Sequence, residues 1–221
     1  MLVSEVLQNS VSPLNSDSEL GEVFVEDYPE GLQYIPVIQN STFLGFLPLE
    51  DLDLEKEINK TVGQCALETT DHVVNKKQHI FEILPLFQKA GIPVLPVLDE
   101  ESHFEGIVKL ESVLGIFADS FSFQSEGGIL VISLAAHSYS LSEISRLVES
   151  NQAKILSVLV ETDPFTHLNL LVHLKINIPD LTRVVATLER FDYQVIEVHH
   201  KSEVTSLDQE RLDQLMKYLG I

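Results

Sequence analysis

Two stretches of the chain are copies of one another. Gly31-Leu-Gln-Tyr-Ile-Pro-Val37 and Gly91-Ile-Pro-Val-Leu-Pro-Val97 carry Gly, Pro and Val at positions 60 residues apart. Further on, Phe43-Leu-Gly45-Phe-Leu-Pro-Leu49 matches Phe104-Glu-Gly106-Ile-Val-Lys-Leu110 at a spacing of 61. The second copy therefore holds one extra residue in the intervening turn, Gln39–Thr42 in the first and Asp99–His103 in the second. Landmarks matched over such a period mean a duplicated supersecondary unit, not one irregular fold. The cleft between the copies is the place where such a module would hold a ligand.

The same offset runs through the helical stripes. In the first copy Ser16 and Glu19 predict a capping box ahead of an apolar face of Leu20, Val23 and Phe24. In the second, Asn75 and Gln78 take that role ahead of Ile80, Ile83, Leu84 and Phe87. Gly31 and Gly91 follow, suited to left-handed C-terminal caps. Two apolar runs then pair as a hairpin, Tyr34–Ile38 with Phe43–Leu47 and Val94–Leu98 with Phe104–Val108. Short helices around Leu49–Leu52 and Leu110–Phe117 close a strand-helix-strand-strand-helix unit. The predicted repeats span residues 1–58 and 59–120.

A second domain is expected over 127–200, opening at Gly127-Gly128. Ile129–Leu134 reads as a buried strand, and Ser140 with Glu143 caps a helix faced by Leu141, Ile144, Leu147 and Val148. Ile155–Val160 is a β-branched run. His167–Asn177 alternates, with Leu168, Leu170, Val172, Leu174 and Ile176 on one face, so one side of this sheet is solvated. Pro179 starts a helix with stripe Leu181, Val184, Val185 and Leu188, and Val195–His199 is the last strand. The order βαββαβ is the ferredoxin-like arrangement, so the whole chain is α+β. A C-terminal helix is predicted over 206–220, capped by Ser206 and Gln209 and striped by Leu207, Leu212, Leu215, Met216 and Leu219.

Charge and motifs narrow the chemistry. A formal charge of −20 with no basic stripe repels nucleic acid and anionic membranes. No run of about 18 to 20 apolar residues spans a bilayer. The start of the chain lacks the pattern of a signal peptide. Cys65, the single cysteine, reads as a small core residue of a protein in a reducing, cytoplasmic setting. Phosphate-loop, dinucleotide, zinc-protease, C-x-x-C and G-x-S-x-G motifs are all absent from the sequence, so no catalytic residue is assigned. Adjacent strand residues His199 and His200 face opposite ways, and His167 lies about 20 Å from His173 at strand rise, so no metal site is assigned. Asp51, Asp53, Glu55 and Glu57 read as a solvated linker, and Asp99-Glu-Glu101 as an acidic turn.

The repeat, with G-x-x-x-h-P-V leading into h-x-G-h-h, resembles a tandem pair of CBS domains over about residues 1–120. Residues 127–200 resemble an ACT domain, most closely in Leu-Ser-Glu-Ile-Ser-Arg-Leu-Val and Ile-Leu-Ser-Val. The combination is similar to CBS–ACT proteins of the acetoin-utilisation type. That resemblance implies a regulatory protein, homodimeric, with an adenine nucleotide (AMP, ADP, ATP or a related adenosyl compound) in a cleft between the repeats. No cofactor is required. ACT domains in such proteins dimerise or sense small molecules.

Carried over by position, the family's phosphate-contacting hydroxyl falls at Pro48 and Lys109, and its ribose-binding Asp at Asp51 and Ser112. Asp51 is the ribose acceptor the resemblance implies, and the Lys109 ammonium would neutralise a phosphate. Pro48 has no N–H to donate. Val11, Ile35 and Pro36 would wall the first cleft beside Gly45. Val73, Leu95 and Pro96 would wall the second. The ACT effector loop would fall at His137, Ser138 and Tyr139, where the usual Asp, Pro and Gly are missing. Two readings stay open: a nucleotide sensor, and a structural or interaction module without ligands.

Overall fold

The computed structural model describes residues 1–23, 33–50, 52, 59–165 and 167–199. Phe24, Gly31, Asp51, Asp53, Glu55, Glu57 and the helix expected over 206–220 lie outside the described residues. The chain divides into two compact units, Met1–Ala118 and Asp119–Ile221. Among the described residues no helix is long and apolar enough to cross a membrane.

The first unit contains β1 (Leu14–Asn15), α1 (Leu20–Val23), β2 (Tyr34–Gln39) and β3 (Thr42–Pro48). The second copy follows with α2 (Ile80–Ala90), β4 (Val94–Leu98), β5 (Phe104–Lys109) and α3 (Leu110–Ala118). β1 runs parallel to β2 through Leu14 and Val37; Val74 makes the matching parallel bridge to Val97. The hairpins share one register. Val37 pairs with Gly45 and Val97 with Gly106, and each ladder slips at the next residue. Ile38 then pairs with Phe43, and Leu98 with Phe104, so the extra residue sits in the second turn. The first turn is the two-residue pair Asn40 (φ 50°) and Ser41 (φ 68°), left-handed conformations that match hairpin twist.

The helix starts differ from expectation. α2 is capped by His79, whose Nδ1 accepts the Phe81 N–H at 3.2 Å. Asn75 and Gln78 instead close a turn upstream: Asn75 Oδ1 accepts from Lys77 N–H, and Gln78 Oε1 from Asn75 N–H. The reason lies in segments the repeat comparison did not include. Two short helical turns, Val3–Glu5 and Val62–Gln64, precede the copies. The Ile80 N–H donates to Met1 O and the Leu20 N–H to Lys60 O. Backbone carbonyls thus satisfy the first N–H group of each helix. The helix expected at Leu49–Leu52 is not seen among the described residues there, and both leucines pack on the first core. Gly91 does cap α2 at φ 72°, its N–H reaching Phe87 O.

Those leading segments are exchanged. Val3 N–H and Ser4 N–H donate to Gln78 O and Lys76 O in the second copy. Val62 N–H and Gly63 N–H donate to Ser18 O and Ser16 O in the first. Val3 and Val6 are buried with Val74, Ile80, Val97 and Val108, while Val62 and Cys65 are buried with Leu20, Ile35, Val37 and Phe46. Each such buried valine contributes about 1.5–3 kcal/mol by area. At the hairpin tips the equivalent rings of Phe43 and Phe104 stack, centroids 5.9 Å apart.

The second unit contains α4 (Phe121–Gln124), β6 (Gly128–Ala135), α5 (Leu141–Glu149), β7 (Ile155–Thr162), β8 (Asn169–Ile176), α6 (Thr182–Arg190) and β9 (Gln194–His199). Its antiparallel sheet has strand order β7-β8-β6-β9. Leu130, Ile132, Leu134, Val172, Leu174 and Ile176 form its core with Ile144, Leu147, Val184 and Leu188 of the helices. Ser140 caps α5, accepting the Glu143 N–H at 3.4 Å. Two sequence expectations are corrected. Leu168 precedes β8 and is 80% exposed. α6 starts at Thr182, not Pro179, because the Asp180 carboxylate takes the Thr182 N–H and hydroxyl and closes a separate turn first.

Candidate functional site

The hairpin registers place Tyr34 opposite Pro48 and Val94 opposite Lys109. Just beyond, the Leu49 N–H donates to Gln33 O and the Leu110 N–H to Pro93 O. These matched strand ends of the two repeats, with the start of α3, line a pocket of about 90 Å³. Its walls are Gln33, Tyr34, Pro93, Val94, Ile107, Lys109 and Glu111. The Tyr34 ring packs edge-on against Phe46, centroids 6.3 Å apart. Lys109 ends β5 with its side chain 22% exposed, and its Nζ lies 3.6 Å from Glu111 Oε1 in the first turn of α3. A carboxylate there is favoured by the helix dipole. The pocket thus combines an ammonium, an amide and an aromatic ring, groups that suit a phosphorylated or aromatic ligand.

Of the residues singled out in the sequence, this pocket takes in Lys109. Val11 and Ile35 are buried in the first core, 3% and 0% exposed. Pro36 and Pro96 are buried within β2 and β4, as is Leu95, while Val73 is exposed. Gly45 is closed over by the leading segment of the other repeat: the Phe46 N–H donates to Glu68 O and the Glu68 N–H to Phe46 O, both at 2.8 Å. The Ser112 hydroxyl accepts from Gln8 Nε2 at 3.1 Å. Asp51 lies outside the described residues. Gln33, Tyr34 and Glu111 were missed in the sequence. The available signal was the aromatic Tyr34 standing where the second copy has Val94.

In the second unit Ser138 lines a cavity of about 440 Å³ with Ser133, Asn169, Glu143, Asp192 and Tyr193 among its walls. His137 is exposed, and Tyr139 packs on the core instead. The Tyr193 hydroxyl donates to Glu143 Oε2 at 3.3 Å. Burial first, and then the Glu143 carboxylate, push that phenol above its ordinary value.

Asp99, Glu101 and His103 bring potential metal-ligand atoms within 4.8 Å of one another in the β4–β5 turn. The geometry is that of a turn. Asp99 Oδ1 accepts the His103 N–H at 2.8 Å and the Glu101 N–H at 2.9 Å. The His103 amide, ahead of its ring and the Glu101 amide, holds the Asp99 carboxyl below the usual carboxylate range.

Comparison with known proteins finds a family match in the second copy. Residues 66–119 match the CBS domain family. An uncharacterised protein of Methanocaldococcus jannaschii is 26% identical over 113 residues, 51% of this chain and 42% of the relative. The match therefore spans less than half of that protein's length. Among solved structures, a CBS domain pair/ACT domain protein of Thermotoga maritima is similar at 23% identity and TM-score 0.47. It covers 55% of this chain and 99% of that one. The CBS domains of a Streptococcus pneumoniae transcriptional regulator are similar at 14% identity and TM-score 0.46, covering 52% and 98% of the two chains.

Proposed function

We propose that the protein is a non-enzymatic, cytoplasmic regulator whose first unit, a CBS pair, binds an adenine nucleotide or related adenosyl ligand between its repeats. Lys109 would meet the phosphate and Asp51 the ribose hydroxyls. The observation that carries this reading is the Lys109 ammonium in a pocket walled by matched strand ends of both repeats. The CBS match of residues 66–119 supports it. A pocket of about 90 Å³ suits a phosphate group, with the adenosine held by residues outside it. Because both repeats contribute walls, a ligand would favour one arrangement of the repeats over others, which is how binding becomes a signal. The second unit is proposed as an ACT-like domain that pairs two copies or senses a small molecule near Ser138.

Calorimetric titration with AMP, ADP and ATP tests the nucleotide reading. Binding is expected, and Lys109→Ala should weaken a phosphorylated ligand at least tenfold, about 1.4 kcal/mol. No heat and no thermal shift at millimolar nucleotide would end it for these ligands. One observation favours the alternative, a structural or interaction module: Val11, Ile35, Pro36 and Pro96 are closed in the core. Unchanged partner binding and stability in Lys109→Ala, with no nucleotide response in either protein, would support that module.

A further inference from the structure

We infer that the Lys109 pocket selects adenosyl ligands of low charge, and that Glu111 is the residue that turns polyphosphates away. The inference rests on the nucleotide reading of this pocket. Of the seven described residues lining it, Lys109 and Glu111 alone carry charge; Gln33, Tyr34, Pro93, Val94 and Ile107 are neutral. Their charged atoms are 3.6 Å apart, so the pocket offers a nearly neutral pair in place of a free cation. A first phosphate can displace the exposed Glu111 carboxylate from Lys109, since that side chain is 75% exposed and free to swing into water. Further phosphates bring more negative charge and meet no second cation among the described lining residues.

Among the described residues, the matching end of the first repeat does not supply one. The position equivalent to Lys109 is Pro48, and the position equivalent to Glu111 is the exposed Glu50. Each half therefore carries an acid, and one half carries a base. The net charge of −20 adds a repulsive field for any polyanion, felt over roughly a Debye length of about 8 Å at physiological salt. Adenosine and AMP are thus the ligands of preference, and ADP and ATP are disfavoured in that order.

The test is calorimetry on the full chain and on Glu111→Gln, with adenosine, AMP, ADP and ATP in magnesium-free buffer. In the unsubstituted protein ATP should bind at least tenfold more weakly than AMP. Glu111→Gln should tighten ATP about tenfold and leave adenosine unchanged, and raised salt should narrow the gap. Affinity that rises from AMP to ATP would overturn the selection while leaving the nucleotide reading standing. An effect of Glu111→Gln that is equal for all four ligands, or nil, would do the same. Failure of both proteins to bind any of the four would overturn the nucleotide reading itself, and the selection with it.

Discussion

A methyl group at Gly106 would sit 2.6 Å from the Gln8 carbonyl oxygen and 2.9 Å from Leu7 Cδ1, on a backbone at φ +152°. At the matching Gly45 it would lie 3.0 Å from the Glu68 carbonyl oxygen and 3.2 Å from Leu67 Cβ. Both glycines stand where the leading segment of the other repeat crosses the hairpin. Gly106→Ala should therefore cost about 2–3 kcal/mol, through clash and strain together. Gly115 lies inside α3 with nothing within 4 Å of a would-be Cβ, and Gly115→Ala should gain about 0.5–1 kcal/mol. Opposite shifts of the denaturant midpoint check the pair; equal shifts would show that backbone crossing is not what keeps Gly106 small. The sequence marked both glycines as shared scaffold positions. It did not show why, because nothing near Gly106 in the chain reveals that residues 7 and 8 lie against it.

Among the elements, the hairpins were the most legible. Short apolar runs, a Pro at each matched position and a polar turn predict them without reference to anything distant. Helix starts were less so, because Asn75 and Gln78 have capping chemistry but spend it on a turn, while His79 makes the cap. The β4–β5 turn carries a testable charge effect. Its Asp99 carboxyl is held below the ordinary 3.8 in the folded protein. The folded state thus binds its proton less readily than the unfolded chain. Its contribution to stability is full above 3.8 and is lost as pH falls through the lower folded value. Asp99→Ala should be less stable than the unsubstituted protein at neutral pH. The gap should close in acid, as read by denaturant midpoints over a pH series. A gap that persists undiminished at low pH would assign the loss to something other than this carboxylate.

For the molecule as a whole, the exchange of leading segments sets how the first unit holds together. Val3 and Val6 belong to the second copy's core, and the Gln8 N–H and C=O bond the Ile107 C=O and N–H at 2.8 and 3.0 Å. Deleting residues 1–8 should therefore weaken the second repeat before the first, although the deleted residues precede the first. Hydrogen exchange would read this as earliest loss of protection in β4 and β5, with β2 and β3 following. Loss confined to β2 and β3 would refute the exchange. The sequence by itself determined the duplication, the two hairpins and the turn that holds the extra residue. The duplication shows as matched landmarks 60 and 61 residues apart, and the hairpins as apolar runs joined by polar turns a few residues long. The tertiary structure alone decided which core each leading segment fills, why Gly45 and Gly106 are glycines, and which candidate residues reach a pocket. Those outcomes rest on backbone N–H and C=O groups meeting between segments from about twenty to about a hundred residues apart, and such groups look alike in every sequence.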